Sequence, residues 1–473
     1  MTASANSQRA EPTELEPISR EGLSLLVILA GSFLAPLLMH STTLAIPSMA
    51  ADLRLTAESV SLLTLGHILS SACMVLPAGK LADIYGRRKI FSIGTLISGC
   101  ACLLGGFADS AISLIAARCL QGAGGAFIFA SALALVNSIP PPQHKARVMG
   151  IYIAIAYLGI VVGPLFGGYV LTHTDWRWVF ILPGIALLLT GFIGSVCLSW
   201  ERYGNRNTRL RWLDTSLYML SLGLIAVSVF KTGALIGQFM LLAGLAAFGG
   251  FCWFQTKRKD PLLQVSLFLH NPVFALLGTV NFLAYSAILA LSFTLTLFLQ
   301  YILGLDALTT GWLLISQALL TALVAPMSGR LTERYKIKDL LLIGFTIMLL
   351  GMLCFAVLGE SSSVWLVIIG LALVGLSIGI VDTQIIHTAL NSVSHEQLGS
   401  ASATLNGLRS MGGFVGIGIV SYLMSLYLGR NEIVPALYAE LYSMLHVYFI
   451  VAALLVAVAL LLLVVGLIKR DTL

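Results

Sequence analysis

The feature that most constrains this chain is a series of apolar runs, each about 20 residues long, separated by short polar segments. Hydrophobic residues make up 58% of the sequence and charged residues only 10%, whereas roughly a quarter of an average globular sequence is charged. A backbone exposed to lipid must satisfy its hydrogen bonds internally, and continuous runs of this length favour helices over alternating β-strands. The sequence therefore predicts an all-α polytopic membrane protein.

The apolar runs predict fourteen membrane-spanning helices. They lie near residues 23–48, 58–78, 90–108, 111–137, 147–171, 177–199, 212–230, 233–255, 272–303, 310–329, 339–358, 364–390, 400–427 and 442–468. Residues 1–22 carry no apolar stretch of the kind that a signal peptide needs, so we expect a cytosolic tail. Most of the 27 Lys and Arg residues fall on the side of that tail, which places both termini in the cytosol. Twelve spans with a surface-lying segment near 212–255 is the alternative.

A charged segment after the second span recurs after the tenth. The copies are Gly79-Lys80-Leu81-Ala82-Asp83-Ile84-Tyr85-Gly86-Arg87-Arg88-Lys89 and Gly329-Arg330-Leu331-Thr332-Glu333-Arg334-Tyr335-Lys336-Ile337-Lys338. Their glycine, base, leucine, acid and tyrosine positions agree, which indicates duplication of a transporter half. The predicted organisation is a six-helix half over 23–199, a linker hairpin of two extra helices over 200–260, and a six-helix half over 261–473.

Four motifs follow one another along the first half. They are Gly79-Lys80-x-x-Asp83-x-x-Gly86-Arg87-Arg88, Arg118-x-x-Gln121-Gly122-x-Gly124-Gly125, Gly159-x-x-x-Gly163-Pro164-x-x-Gly167-Gly168 and Asp175-Trp176-Arg177-Trp178-x-Phe180. Together they resemble the major facilitator superfamily and, within it, the fourteen-span drug/proton antiporters, in which the third motif marks antiport. The resemblance implies the major facilitator fold, alternating access around a midplane cavity, and export of amphipathic organic compounds against inward proton flow.

The chain departs from this family in its first span. Leu38 stands where the family usually has an aspartate, and Thr43 where it has an asparagine. Family members often use that aspartate for protons or cations. Its replacement weakens the expectation of proton coupling through the first span and of a preference for cationic compounds.

The charged segments and the fifth span are the predicted gating elements. We interpret the charged segments as turns that latch the inner face, with Asp83 pairing with bases across the interface between halves; the alternative is a topology signal. Glycines at four-residue spacing in the fifth span permit close helix packing, and a proline can kink the helix. The predicted gating residues are Gly79, Asp83, Gly86, Arg87, Arg88, Gly159, Gly163, Pro164, Gly167, Gly168, Gly329 and Glu333.

Five polar residues inside spans are candidates for proton coupling. Arg118 lies deep in the fourth span, where an arginine usually faces a partner or a water-filled cavity. Asp382 is the only carboxylate well inside a span of the second half, and the following span offers Arg409, so we expect the two to pair. Burial and a nearby arginine act oppositely on proton binding by an aspartate, so protonation could switch the pair. His40 and His67 are further candidates; a fixed ion pair and neutral hydrogen-bonded histidines are the alternatives.

Polar residues with aromatic neighbours predict a substrate cavity, with hydrogen bonding between helices as the alternative. The candidates are Thr43, Gln121, Asn281, Tyr285, Ser292, Thr296, Gln317 and Asn406. The sequence contains no phosphate-cradling loop, metal cluster or nucleophile–base arrangement, so no enzymatic activity, cofactor, metal or nucleic-acid partner is expected.

The predicted function is secondary active transport of small organic compounds, exchanged for protons, by a monomer in the lipid bilayer of a plasma membrane (a bacterial inner membrane). Two alternatives stay open. One is an exporter of a specific metabolite or lipid that is not coupled to protons through the first span. The other is a transporter-like sensor that moves nothing.

Overall fold

The computed structural model describes residues 20–138, 144–197, 210–231, 235–258, 260–332, 334–360, 362–394 and 397–468. The predicted tail 1–22 lies almost wholly outside these ranges. Fourteen apolar helices follow in the described part. They are Arg20–Leu44 (α1), Ala57–Tyr85 (α2), Arg87–Gly106 (α3), Ala111–Ser138 (α4), Lys145–His173 (α5), Trp178–Cys197 (α6), Trp212–Ser228 (α7), Leu235–Thr256 (α8), Pro272–Leu297 (α9), Ala307–Leu331 (α10), Ile337–Ala356 (α11), Val364–Asn391 (α12), Leu398–Tyr427 (α13) and Tyr438–Ile468 (α14).

Each helix corresponds to one predicted span. Thirteen of them are long and apolar enough to cross a membrane, while α7, with 17 residues, is shorter. At 1.5 Å per residue α7 measures about 26 Å, close to the ~30 Å of a hydrocarbon core. The first span is shorter than predicted because α1 ends at Leu44 and a separate short helix, Ile46–Asp52, begins with Pro47 in its first turn. A single π-helical turn, Phe298–Ile302, extends α9.

The helices form two groups, which contact each other mainly through two pairs of helices. Helices α1 to α6 pack chiefly on one another and form the first group. Helices α9 to α14 likewise form the second group, and α7 packs on α8. The main contacts between the groups are α5 with α10 and α2 with α13. The domain boundaries at 199, 200, 260 and 261 stay a prediction.

Glycines occupy matching places in the two groups. A methyl group at Gly122 of α4 would overlap the carbonyl oxygen of His67 in α2, and one at Gly375 of α12 would overlap that of Gln317 in α10. The sequence repeat aligns the positions of His67 and Gln317. Each group therefore needs a glycine at the same helix crossing, where only hydrogen fits between two backbones.

The first charged segment is not a turn, contrary to the sequence interpretation. Helix α2 continues through Gly79 and Asp83 to Tyr85, and α3 begins at Arg87. Only Gly86 interrupts the helix, with a φ of 109° that favours glycine. Continuous helix is favoured because the segment between the glycines carries good helix formers and no proline.

Candidate functional site

The polar centre of the second group consists of Asp382, Arg409 and Tyr285, from α12, α13 and α9. Arg409 Nη2 lies 2.9 Å from Asp382 Oδ2, and the Tyr285 hydroxyl donates a 2.6 Å hydrogen bond to the same oxygen. The Arg409 guanidinium also lies over the Tyr285 ring, 4.3 Å from its centroid, in a cation–π position. The sequence predicts the ion pair, and the structure contains it; the sequence analysis missed that Tyr285 holds both charges.

Glycines in α13 bring this centre together. Methyl groups at Gly412 and Gly416 would collide with the carbonyl oxygens of Phe282 and Ser286 in α9. Helices α9 and α13 can therefore approach until Arg409 lies over Tyr285. The close contact fixes both the hydrogen-bonding and the ring geometry.

A small polar cavity adjoins Arg409. Its lining includes Asn281, Ser402 and Asn406 together with the apolar side chains of Ile386 and Leu405. The Arg409 side chain is 29% exposed and that of Asp382 13%. Arg409 is therefore accessible from this cavity, which brings together the predicted cavity residues Asn281 and Asn406. Tyr285 is buried and contacts Arg409 and Asp382 without lining the cavity.

Arg118 of α4 has a different environment. It is 2% exposed, and its guanidinium donates to Gln121 Oε1 at 2.5 Å, Thr42 Oγ1 at 3.0 Å and the Leu63 carbonyl at 3.3 Å. No salt bridge to Arg118 exists among the described residues. Hydrogen bonds to a charged group contribute about 1.5–3 kcal/mol each. Because arginine stays protonated in proteins, these neutral acceptors hold Arg118 as a charge without a counterion among the described residues.

The two candidate histidines lie apart from Asp382 and Arg409. His67 is close to Arg118, and its Nδ1 is buried without a hydrogen-bond partner in the described residues. The β-carbon of His40 packs against Gly163 of α5. His67 therefore belongs to the Arg118 environment, whereas His40 fills the contact between α1 and α5.

The remaining cavity candidates do not line the cavity beside Arg409; they are Thr43, Gln121, Ser292, Thr296 and Gln317. Thr43 and Thr296 are buried and donate to the carbonyl groups of Met39 and Ser292, one turn earlier in their own helices. Gln317 packs its backbone on Gly375. Gln121 binds Arg118, and the adjoining Thr42, which the sequence analysis did not select, is the α1 partner of that arginine.

Several polar contacts between the two groups lie at one face, which carries residues 45–56, 174–177, 303–306 and 428–434. We name it the predicted outer face. There Arg430 Nε lies 3.1 Å from Glu58 Oε2, and the Ala57 amide donates to the Asn431 carbonyl at 2.8 Å. Gln300 Nε2 donates to the Leu44 carbonyl at 3.1 Å. Polar contacts from several helices therefore close this face.

The fifth-span glycines divide between two partners. Gly159, Gly163 and Gly167 pack closely on α1 within the first group; their gating role stays a prediction. Gly168 instead meets α10, where a methyl group would come within 2.8 Å of the Leu308 α-carbon, and Gly311 of α10 packs on the Pro164 carbonyl. Successive glycines point to different neighbours because adjacent helix positions differ by about 100°.

The charged segment also differs from the predicted latch. Asp83 pairs with Arg87 one turn later, at 3.1 Å, rather than across the interface. Arg88 donates to the Ser195 carbonyl at the end of α6. Because Asp83 and Arg87 are four residues apart, they can pair locally without any contact between the halves. In the second copy Gly329 is exposed with open space around it, and Glu333 lies outside the described residues.

The Trp-Arg-Trp motif has a structural partner that sequence analysis did not find. Trp176 Nε1 and Arg177 Nη1 each donate to Asp52 Oδ2 at 3.0 Å. Hydrogen bonding from Trp176 and then Arg177 lowers the pKa of the Asp52 carboxyl. This contact ties the α1–α2 connection to the start of α6.

A family model described as "Major Facilitator Superfamily" matches residues 28–417 and 274–472. The chain belongs to the major facilitator superfamily. A bacterial homologue of the lysosomal transporter Spinster, solved in an inward-facing, unoccupied conformation, has the same fold, with a TM-score of 0.68, 18% identity and coverage of 95% of this chain and 97% of that one.

Two relatives are resistance proteins. The multidrug resistance protein Stp of Mycobacterium tuberculosis (strain CDC 1551 / Oshkosh) is 28% identical over 89% of this chain and 77% of its own length. The puromycin resistance protein pur8 of Streptomyces alboniger is 28% identical over 96% of this chain and 92% of its own. This superfamily member is therefore a multi-pass, non-enzymatic membrane transporter, as predicted; its place in the fourteen-span branch stays a prediction.

Proposed function

We propose that this protein exports amphipathic organic compounds in exchange for protons, across a bacterial inner membrane with both termini in the cytosol. The observation that carries the proposal is the partly exposed Asp382–Arg409 pair, to which Tyr285 donates and whose Arg409 lines a cavity. A carboxylate inside a transmembrane bundle is a functional candidate by default. The resistance functions named for Stp and pur8 support the substrate class.

Protonation is the proposed switch. The ionised carboxylate of Asp382 holds Arg409 through charge and accepts the Tyr285 hydroxyl hydrogen bond. A proton on the carboxylate removes the net attraction to Arg409, so α12 and α13 lose a contact that depends on charge. Substrate binding beside Arg409 then differs between the protonated and ionised forms, which is the condition for coupling.

Coupling is assigned to the second group rather than to α1. Leu38, where the family usually has an aspartate, is 1% exposed, and the neighbouring α1 polar residue Thr42 serves Arg118. The first span therefore supplies hydrogen bonding but no carboxylate at that depth. Asp382 remains the candidate for carrying the proton.

Alternating access would require the predicted outer face to open. In the described conformation that face is closed by contacts of Arg430, Asn431 and Gln300 with the first group. The Asp382–Arg409 pair lies beside the cavity on the other side of this closure. We assign the conformation to the inward-facing half of the cycle, in which a compound reaches the cavity from the cytosol.

Proteoliposomes with an acidic interior test the proposal. Protons leaving through the protein should drive a fluorescent amphipathic dye inward, and dissipating the pH gradient should stop accumulation. Asp382→Asn should lose gradient-driven accumulation while retaining the elution profile of folded protein. The matched control is Asp339→Asn, an exposed carboxylate in the first turn of α11, which should transport normally.

The outcomes separate the alternatives. Undiminished, gradient-driven transport by Asp382→Asn would contradict this coupling site. Accumulation that ignores the gradient would contradict antiport. If folded wild-type protein moves no dye, the metabolite or lipid exporter becomes the better interpretation.

A further inference from the structure

The hairpin of α7 and α8 carries several charged residues at the end where α7 begins and α8 ends. Arg258 is held by Asp214, with Nη2 3.1 Å from Oδ1. Arg211 and Lys257, which lie close to that pair in sequence, are exposed and form no salt bridge within the described ranges. The Asp214–Arg258 contact places these two unpaired cations at the same end of the hairpin.

Two tryptophans accompany these cations. Trp212 is 69% exposed and Trp253 55%, and Lys257 Nζ lies 3.6 Å from the centroid of the Trp253 ring. Tryptophan is enriched at the boundary between lipid and water. The cation–π contact holds an ammonium group at that boundary in a defined position before any ligand is present.

We propose that the hairpin base, defined as Arg211, Trp212, Trp253 and Lys257, binds the headgroup of an anionic phospholipid from the surrounding bilayer. Basic groups at the membrane surface attract anionic lipids, and guanidinium and ammonium groups donate charge-assisted hydrogen bonds to phosphate oxygens. The indole rings match the depth at which a headgroup joins its acyl chains. The positive charge of the basic side chains and the position of the indole rings at the membrane boundary therefore both favour an anionic lipid as the ligand.

The apolar surface next to the hairpin base suits the acyl chains of the same lipid. Leu242, Leu245 and Trp253 of α8 are exposed, and Tyr218 of α7 anchors the opposite side of the hairpin by donating to the Ala72 carbonyl of α2 at 2.8 Å. With one side fixed to α2, the outward side remains for lipid. A bound headgroup would hold α7 and α8 together beside their ion pair.

Tryptophan quenching tests the site on the purified full-length protein in detergent. The probes are phosphatidylglycerol and phosphatidylcholine brominated on their acyl chains. The difference in quenching between the wild type and Trp253→Phe reports lipid binding at the hairpin base. We expect preference for phosphatidylglycerol, with each of the two basic residues contributing about fivefold to affinity. The double variant Arg211→Gln/Lys257→Gln should lose that preference.

Controls separate charge from folding. Lys231→Gln removes an exposed base at the other end of the hairpin and should keep the preference, as should Arg211→Lys/Lys257→Arg. Equal quenching by both lipids in the wild type, or a preference that survives the double glutamine variant, would overturn the proposal. So would loss of the preference on addition of millimolar inorganic phosphate, which would indicate a site for free phosphate. The measurement needs no substrate, so it stands apart from the proposed transport function.

Discussion

Arg118 and Arg409 are both arginines inside the bundle, one in each group of helices, and their environments differ. Arg409 has a carboxylate 2.9 Å away, whereas Arg118 has three neutral acceptors and is almost wholly buried. The first group therefore holds an arginine among neutral acceptors, and the second holds an arginine in an ion pair. The shared helix scaffold supports two different kinds of electrostatic site.

Their depths fit the difference in exposure. Arg118 lies seven residues into α4, about 10 Å from its end at the predicted outer face, while Asp382 lies nine residues, about 14 Å, from the opposite end of α12. Arg118 is thus the nearer of the two to the closed face. In the proposed cycle, opening that face should expose the Arg118 site and cover the Asp382–Arg409 pair, so the two sites would exchange access to water.

The largest expected effect comes from removing Arg409. Arg409→Met leaves the Asp382 carboxylate without its counterion, so we expect a loss of about 3 kcal/mol in unfolding free energy at neutral pH. Arg118→Met leaves only neutral groups and should cost clearly less. Chemical unfolding in detergent measures both. Adding Asp382→Asn should restore most of the Arg409→Met loss, and equal losses for the two single variants would break the comparison.

Glycine substitutions test whether the matching helix crossings of the two groups are equally tightly packed. Gly122→Ala and Gly375→Ala each force a methyl group into the carbonyl of the neighbouring helix, and each should cost about 2 kcal/mol. Gly125→Ala is the control, because nothing lies within 4 Å of a methyl group there. Apparent unfolding temperature is the measurement. A large loss in only one of the two variants would show that the matched crossings differ in rigidity.

Removing one hydrogen bond from each arginine site tests the difference between the two sites further. Tyr285→Phe removes one donor to the Asp382 carboxylate, and Thr42→Val removes one acceptor from Arg118; each should cost about 1.5 kcal/mol. Tyr285→Phe should additionally shift the pH dependence of dye transport, since its partner is the proposed proton carrier. Thr42→Val should lower stability without that shift. A pH profile displaced equally by both variants would contradict the assignment of Asp382.

The smallest effect is expected at Asp52, which serves structure in the first group without belonging to either arginine site. Its pKa is lowered by Trp176 and Arg177, so its stabilisation is present above the ordinary value of 3.8 and is lost as pH falls through the lower folded-state pKa. Asp52→Asn should cost less than about 1 kcal/mol at pH 7, because the pair is half exposed. Unfolding measured across acidic pH should show the difference from wild type disappearing. An undiminished difference at the lowest pH would mean that packing, not charge, is responsible.

The helical class, the order of the spans and the Asp382–Arg409 pair could be predicted from the sequence. Apolar runs of bilayer length leave the backbone few alternatives. Two opposite charges in consecutive spans are costly unless they meet. In these cases one local rule decided the outcome.

Other assignments depended on which helices become neighbours, and sequence alone left those open. Four-residue spacing in α5 identified a close contact, but only the assembled bundle showed that Gly163 faces α1 while Gly168 faces α10. Asp83 was free to pair across the interface or within its own segment, and Arg87 was nearer. Tyr285 gained its place because α9, α12 and α13 converge. Sequence periodicity fixes the faces of a helix, whereas tertiary packing decides which partner each face meets.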